Sequence, residues 1–145
     1  MYGSSFVTAQ AGHLFSGRFN GSARDVMHRY RIESDGRLTL LAGSIQVPMK
    51  TQGVAVSTTH YFFSTSYGET SRSNIYVLRR GYSLDSTRAS CFRAPTMSEG
   101  ATIHNGRLYV VYESGAGQYV AGSDPTNVIK RLHSSALSSL TALVD

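Results

Sequence analysis

The sequence predicts an all-β fold, and three observations carry that prediction. Nine Tyr and six Phe stand among many Val, Ser, Thr and Gly, with only 16% charged residues, a balance that favours strands and turns over helices. Apolar residues alternate with a period of two over several short runs. Three segments also align without a gap at a constant spacing of 47 residues: "SFVTAQAGHLFSGRFNG" (5–21), "QGVAVSTTHYFFSTSYG" (52–68) and "EGATIHNGRLYVVYESG" (99–115). Self-similarity at a fixed period of this size points to a repeated supersecondary unit.

Each repeat reads as four strands in order. Val7, Val54 and Ala101 align, as do Ala9, Val56 and Ile103, which gives a first short strand with its apolar residues on one face. A turn follows at Gln10-Ala11-Gly12, Ser57-Thr58-Thr59 or His104-Asn105-Gly106. Asn-Gly is a strong hairpin signal, because both residues accept the positive φ of a tight turn. The second strand starts at Leu14, Tyr61 or Leu108 and is closed by Gly21, Gly68 or Gly115. The third is expected at "DVMHRYRI" (25–32), "NIYVLRR" (74–80) and "NVIKRL" (127–132), and the fourth at "GRLTLLAGSIQV" and "TRASCFRA". "SDGR" at 34–37 is the turn between the third and fourth strands of the first repeat. The loop before the third strand is longest in the third repeat, at "AGQYVAGSDPT". In the tail, Leu132, Ala136 or Leu137, Leu140 and Val144 follow helical spacing, so a short amphipathic helix or a closing strand is expected there.

Four antiparallel strands in 47 residues is the size of one propeller blade. The chain therefore reads as a single partial β-propeller domain over 1–145, with repeats at about 1–47, 48–94 and 95–145. Three blades do not close a ring, and open blades expose strand edges and apolar faces. Self-association or a missing N-terminal half is needed to complete it. Pro48 and Pro95 align just ahead of the first strands, and Met1 falls at the equivalent position, which suggests a truncated start or a short half-propeller.

Composition removes several function classes. The net charge of +5 comes from 12 Arg and two Lys against nine acidic residues, and the Arg are scattered rather than gathered into the basic, aromatic-studded face that nucleic acid requires. Cys91 is the single cysteine, so an internal disulfide is excluded; in "RASCFRAP" it reads as a buried, inert thiol. No run of about 18 apolar residues is present to span a membrane, and "MYGSSFVTAQAG" lacks the basic start and apolar centre of a signal peptide.

The run "QVPMKTQGVAVSTTHYFFSTSYG", with "SNIYVLRR" and "APTMSEGATIHNGRLYVVYESGAGQY", resembles the C-terminal half of bacterial, typically secreted, six-bladed β-propeller proteins of the strictosidine-synthase-like and gluconolactonase-like group. The resemblance covers about residues 26–140. It implies a further N-terminal half and a secreted or extracellular location, and in the related hydrolases a calcium ion held in the central channel.

In a propeller the start of the innermost strand faces the central channel. Gln52 and Glu99, aligned with each other and with Ser5, are therefore expected to point at one axis. Glu113 aligns with Ser66 and Phe19 near the end of the second strand, where Tyr67 and Tyr119 offer stacking faces to a sugar or aromatic ligand. The expected ligand-binding set is Gln52, Tyr67, Glu99, Glu113 and Tyr119, and the weaker metal alternative is Glu99 with Gln52. A nucleophilic triad lacks support, since the sequence has no G-x-S-x-G elbow. His13 and His60 share one repeat position, which argues for a structural role. The expectation is a noncatalytic scaffold, without a cofactor, that binds a small polar ligand or a protein partner at its channel face. The alternatives are a calcium-dependent lactonase-like hydrolase and a structural half-ring that pairs with another chain.

Overall fold

The computed structural model describes residues 4–122 and 125–145. Met1, and Ser123 and Asp124 of the segment "AGQYVAGSDPT", lie outside the described residues. Three antiparallel sheets follow one another along the chain. The first runs β1 (Phe6–Gln10), β2 (His13–Gly17), β3 (Asp25–Ile32) and β4 (Leu38–Val47), and the second β5 (Thr51–Val56), β6 (His60–Thr65), β7 (Arg72–Arg79) and β8 (Ala89–Thr96), both in chain order. The third contains β9 (Ser98–His104), β10 (Arg107–Tyr112) and β11 (His133–Ala136), with β10 in the middle. Only two short α-helices are described, α1 (Gly117–Gly122) and α2 (Leu137–Thr141), with one 3-10 turn at Glu113–Gly115. The fold is all-β, and no described helix is long and apolar enough to cross a membrane.

Local chemistry sets the hairpins. Asn105 (φ 45) and Gly106 (φ 69) form the two-residue turn between β9 and β10, and Ala11 (φ 48) with Gly12 (φ 74) forms its counterpart between β1 and β2. Positive φ at both central positions matches the twist of the flanking strands. Between β5 and β6 the Ser57 hydroxyl does the same work differently, accepting the backbone N–H of Thr59 at 3.2 Å and of His60 at 2.8 Å.

The sheets stack face to face with their first strands adjacent: β1 packs on β5, and β5 on β9. Two apolar layers result. Phe6, Phe15, Met27 and Val47 of the first sheet meet Val54, Val56, Tyr61 and Phe63 of the second. On the opposite face of the second sheet, Ala55, Phe62, Ile75 and Val77 meet Leu108 and Val110 of the third, together with Leu140 and Val144 from the tail. Alternate residues of β6 thus feed different layers, and every residue of that strand is buried, which is why "HYFFST" carries apolar side chains on both faces. Burying one such phenylalanine contributes about 2 kcal/mol.

Several expectations are corrected. "NVIKRL" (127–132) is not a strand, and among the described residues the third sheet has three strands rather than four. The backbone there is engaged elsewhere: the Asn127 carbonyl accepts the Thr96 hydroxyl at 3.5 Å, and Ile129 N–H donates to the buried Ser114 hydroxyl at 3.2 Å. The strand that pairs with β10 begins only at His133. The tail supplies both a closing strand and a helix, with Leu140 and Val144 buried, but Leu132 lies outside the helix and is exposed. The second strands end at Gly17, Thr65 and Tyr112, before Gly21, Gly68 and Gly115. Cys91 is exposed rather than buried, because β8 is the edge strand of the second sheet and its alternate side chains leave the core.

Candidate functional site

The start of β9 and the end of β10 lie at the same end of one hairpin, opposite the Asn105-Gly106 turn. Met97 (φ 60) turns the chain into β9, and its carbonyl accepts the Glu113 N–H at 3.0 Å. Lys50 (φ 63) turns the chain into β5, and its carbonyl accepts the Ser66 N–H at 3.0 Å. The two turns place Ser66 and Glu113 alike, each beside the first residues of a neighbouring strand.

Gly53 allows the second and third sheets to meet here. A Cβ at this position would run into the backbone of Glu99, Gly100 and Ala101, so β5 and β9 approach as closely as only glycine permits. Behind the contact lies a buried hydroxyl network. Ser64 donates to the Ser98 hydroxyl at 2.8 Å, and Ser98 N–H donates to the Ser73 hydroxyl at 3.0 Å. All three serines are buried, and their pairing satisfies polar groups that would otherwise be costly in an apolar layer.

This frame positions Glu99. Its side chain is half-buried, and Oε1 accepts the Ser66 hydroxyl at 3.4 Å. Burial raises the carboxyl first and the negative charge of Glu113 second, while the Ser66 hydrogen bond opposes them; together they push it up to about 7. At neutral pH Glu99 is therefore present both as the acid and as the carboxylate. Glu113 is exposed, and its Oε2 accepts the Tyr119 hydroxyl at 3.2 Å. The charge of Glu113, then that hydrogen bond, raises the Tyr119 phenol, and Glu99 adds a smaller contribution. The structure thus brings together Ser66 from just beyond β6, Glu99 from β9, Glu113 from just beyond β10 and Tyr119 from α1.

The other expected residues sit at the margin. Gln52 is half-buried in β5, at the register irregularity between Thr51 and Gly53, next to the strand that carries Glu99. Tyr67 is 61% exposed, but its ring stacks on Phe19 at 6.2 Å between centroids, and the Lys50 ammonium lies 5.0 Å from its centre. Tyr119 enters as a hydrogen-bond donor, held by α1 beside Glu113. Ser66, Gly53 and the serine network were not among the expected residues. The only signal for them was a set of small polar residues inside otherwise apolar strands.

The histidines stand apart. His13 opens β2, its Nδ1 donating to the Ala11 carbonyl at 2.9 Å, and His104 closes β9 at the far end from Glu99. His60 is buried at the start of β6, with Nδ1 2.9 Å from the Thr59 hydroxyl and Nε2 3.4 Å from Asp145. The 3.4 Å approach of Nε2 is an ion-pair distance without hydrogen-bond geometry. Burial pulls the His60 imidazole below its ordinary value, and Asp145 only partly offsets this.

The oxygen donors gathered at the site are two carboxylates and two hydroxyls, of Ser66 and Tyr119, with an amide on the neighbouring strand. Calcium takes about six to eight oxygens, and among the described residues no group of three or more His, Cys, Asp or Glu is placed to hold a metal ion. The donor set falls short of a calcium site. No protein-family model matches the chain, and no curated protein matches it.

Proposed function

We propose that this chain is a segment of a β-propeller that binds a small, hydroxyl-rich ligand at the Glu99 and Glu113 site without transforming it. The propeller reading is supported by the second strands, which begin at His13, His60 and Arg107, and by the adjacent placement of β1, β5 and β9. The observation that carries the ligand reading is the convergence of two glutamates and two hydroxyls at one end of the sheet junction, with the Ser66 hydroxyl 3.4 Å from Glu99 Oε1 and the Tyr119 hydroxyl 3.2 Å from Glu113 Oε2; burial and the Glu113 charge raise the Glu99 carboxyl to about 7. A carboxylic acid donates one hydrogen bond, a carboxylate accepts several, and the Ser66 hydroxyl does both. Vicinal hydroxyls of a sugar or polyol offer the same mixture of donors and acceptors.

Ligand-observed saturation-transfer NMR with methyl glycosides and linear polyols tests this reading. At least one compound is expected to bind, and Glu99→Gln or Glu113→Gln weakens it tenfold or more, the loss of about one charge-assisted hydrogen bond. Absence of binding across both compound classes, or binding that neither variant changes, would overturn it.

A further inference from the structure

The chain makes the same sheet-on-sheet contact twice with residues at corresponding positions. Phe6 and Phe15 of the first sheet pack on Val54, Val56, Tyr61 and Phe63 of the second. Ala55 and Phe62 of the second pack on Ala101, Ile103, Leu108 and Val110 of the third. Each sheet therefore has a leading face, built from one set of alternate residues, and a trailing face built from the other.

One face of each kind is left open. On the third sheet Thr102 and Tyr109 occupy the positions of Ala55 and Phe62, and with Val111 and Leu132 they line an apolar groove of about 590 Å³. Val111 is 48% and Leu132 62% exposed, and α2 does not cover them, because Leu140 packs into the second apolar layer. On the first sheet Val7 and Leu14 occupy the positions of Val54 and Tyr61. Leu40 shares that face, because it pairs with Tyr30, which pairs with Leu14. Val7 is 58% and Leu40 51% exposed, with Ile32 and Leu38 beside them also open to solvent. Apolar faces of this extent mark association surfaces.

We propose that the open face of the third sheet docks on the open face of the first sheet of a second copy, so that two copies joined head to tail close one ring. The occupant follows from the packing: a face of the third-sheet kind is covered twice within the chain, each time by a face of the first-sheet kind. A head-to-tail contact joins unlike patches and either closes into a ring or runs on as a filament. The copy number rests on the propeller reading, since rings of about four to eight blades are typical, and the three sheets described here, taken twice, make six.

Size-exclusion chromatography with light scattering on the whole chain tests the pairing. The wild type is expected at twice the mass of one chain. Leu40→Glu and Val111→Glu, on opposite faces, each give a monomer, and mixing them in equal amounts restores a dimer through the one interface still intact. Circular dichroism confirms folding, and Val7→Glu with Leu132→Glu repeats the experiment should either variant unfold. A folded wild-type monomer, or a dimer that survives Val111→Glu, overturns the proposal. Saturation transfer from the methyl glycosides on the same samples separates the outcomes: a monomer that still binds sugar defeats only the pairing, and a dimer that binds none defeats only the ligand reading.

Discussion

The Ser66 hydroxyl and the Glu99 carboxyl meet at 3.4 Å across the junction of the second and third sheets. Ser66 lies just beyond β6 and Glu99 near the start of β9, so the contact exists only when the two sheets are packed. The site is thus a product of the fold rather than of a local motif. Its electrostatics are linked to stability, because the same packing that orders Glu99 also desolvates it.

Glu99 makes the folded state lose stability as the pH rises. A carboxyl held at about 7 when folded, against 4.5 for the free side chain, keeps its proton longer in the folded chain than in the unfolded one. Its contribution is fully present below about pH 4.5 and is lost as the pH climbs to about 7. Glu99→Gln should therefore stabilise the protein at pH 8 and leave it nearly unchanged at pH 4. The gain is about 1 kcal/mol after allowing for solvent access to the half-buried group, read from denaturant melts at the two pH values. Equal effects at both would contradict this.

His60 acts in the opposite direction. Its imidazole is depressed by burial, so stability is intact above the ordinary histidine value and declines as the pH falls below it, where the unfolded chain takes up a proton that the folded one refuses. In an NMR titration of the histidine rings, His60 should protonate at lower pH than an unperturbed histidine of about 6.5. A midpoint above that value would show the Asp145 contact outweighing burial.

Gly53→Ala should destabilise the protein by about 2 kcal/mol, as overpacking does in a region that cannot yield. The three atoms nearest the new methyl group are all backbone, of Glu99, Gly100 and Ala101, so no side-chain rotation relieves the tightest contacts. Gly117→Ala, where nothing lies near the added atom, is the control and should be neutral. Thermal unfolding of the two variants distinguishes the close approach from a general cost of losing glycine.

Phe62→Ala should cost about 3–5 kcal/mol. Phe62 is fully buried in the layer between the second and third sheets, so the third sheet should loosen first. Faster amide exchange in β9 and β10 than in β1 and β2 is the expected pattern, and uniform acceleration would argue that the two layers unfold as one.

Much of this was legible in the sequence because local rules decided it. Alternation marked the strands, and Asn105-Gly106 fixed a hairpin whose geometry belongs to those two residues alone. The segment 127–132 was misread because its apolar residues fit a strand while its backbone groups bond to the hydroxyls of Ser114 and Thr96, distant partners that periodicity does not reveal. Cys91 was misread for a related reason, since an edge strand and a central strand share one residue pattern but differ in what covers them. The alignment of Glu99 with Gln52 identified a position. It could not show that Ser66 from another sheet, and the charge of Glu113, would set the chemistry of that carboxyl.

The central claim is that Glu99 is poised between acid and carboxylate at neutral pH by burial and by Glu113. Carbon-detected NMR of the side-chain carboxyls, followed across pH in the wild type and in Glu113→Gln, tests it most directly. A Glu99 midpoint at about 7 that falls when the Glu113 charge is removed is the predicted result. A midpoint near 4.5 in the wild type, unmoved by the substitution, would contradict it.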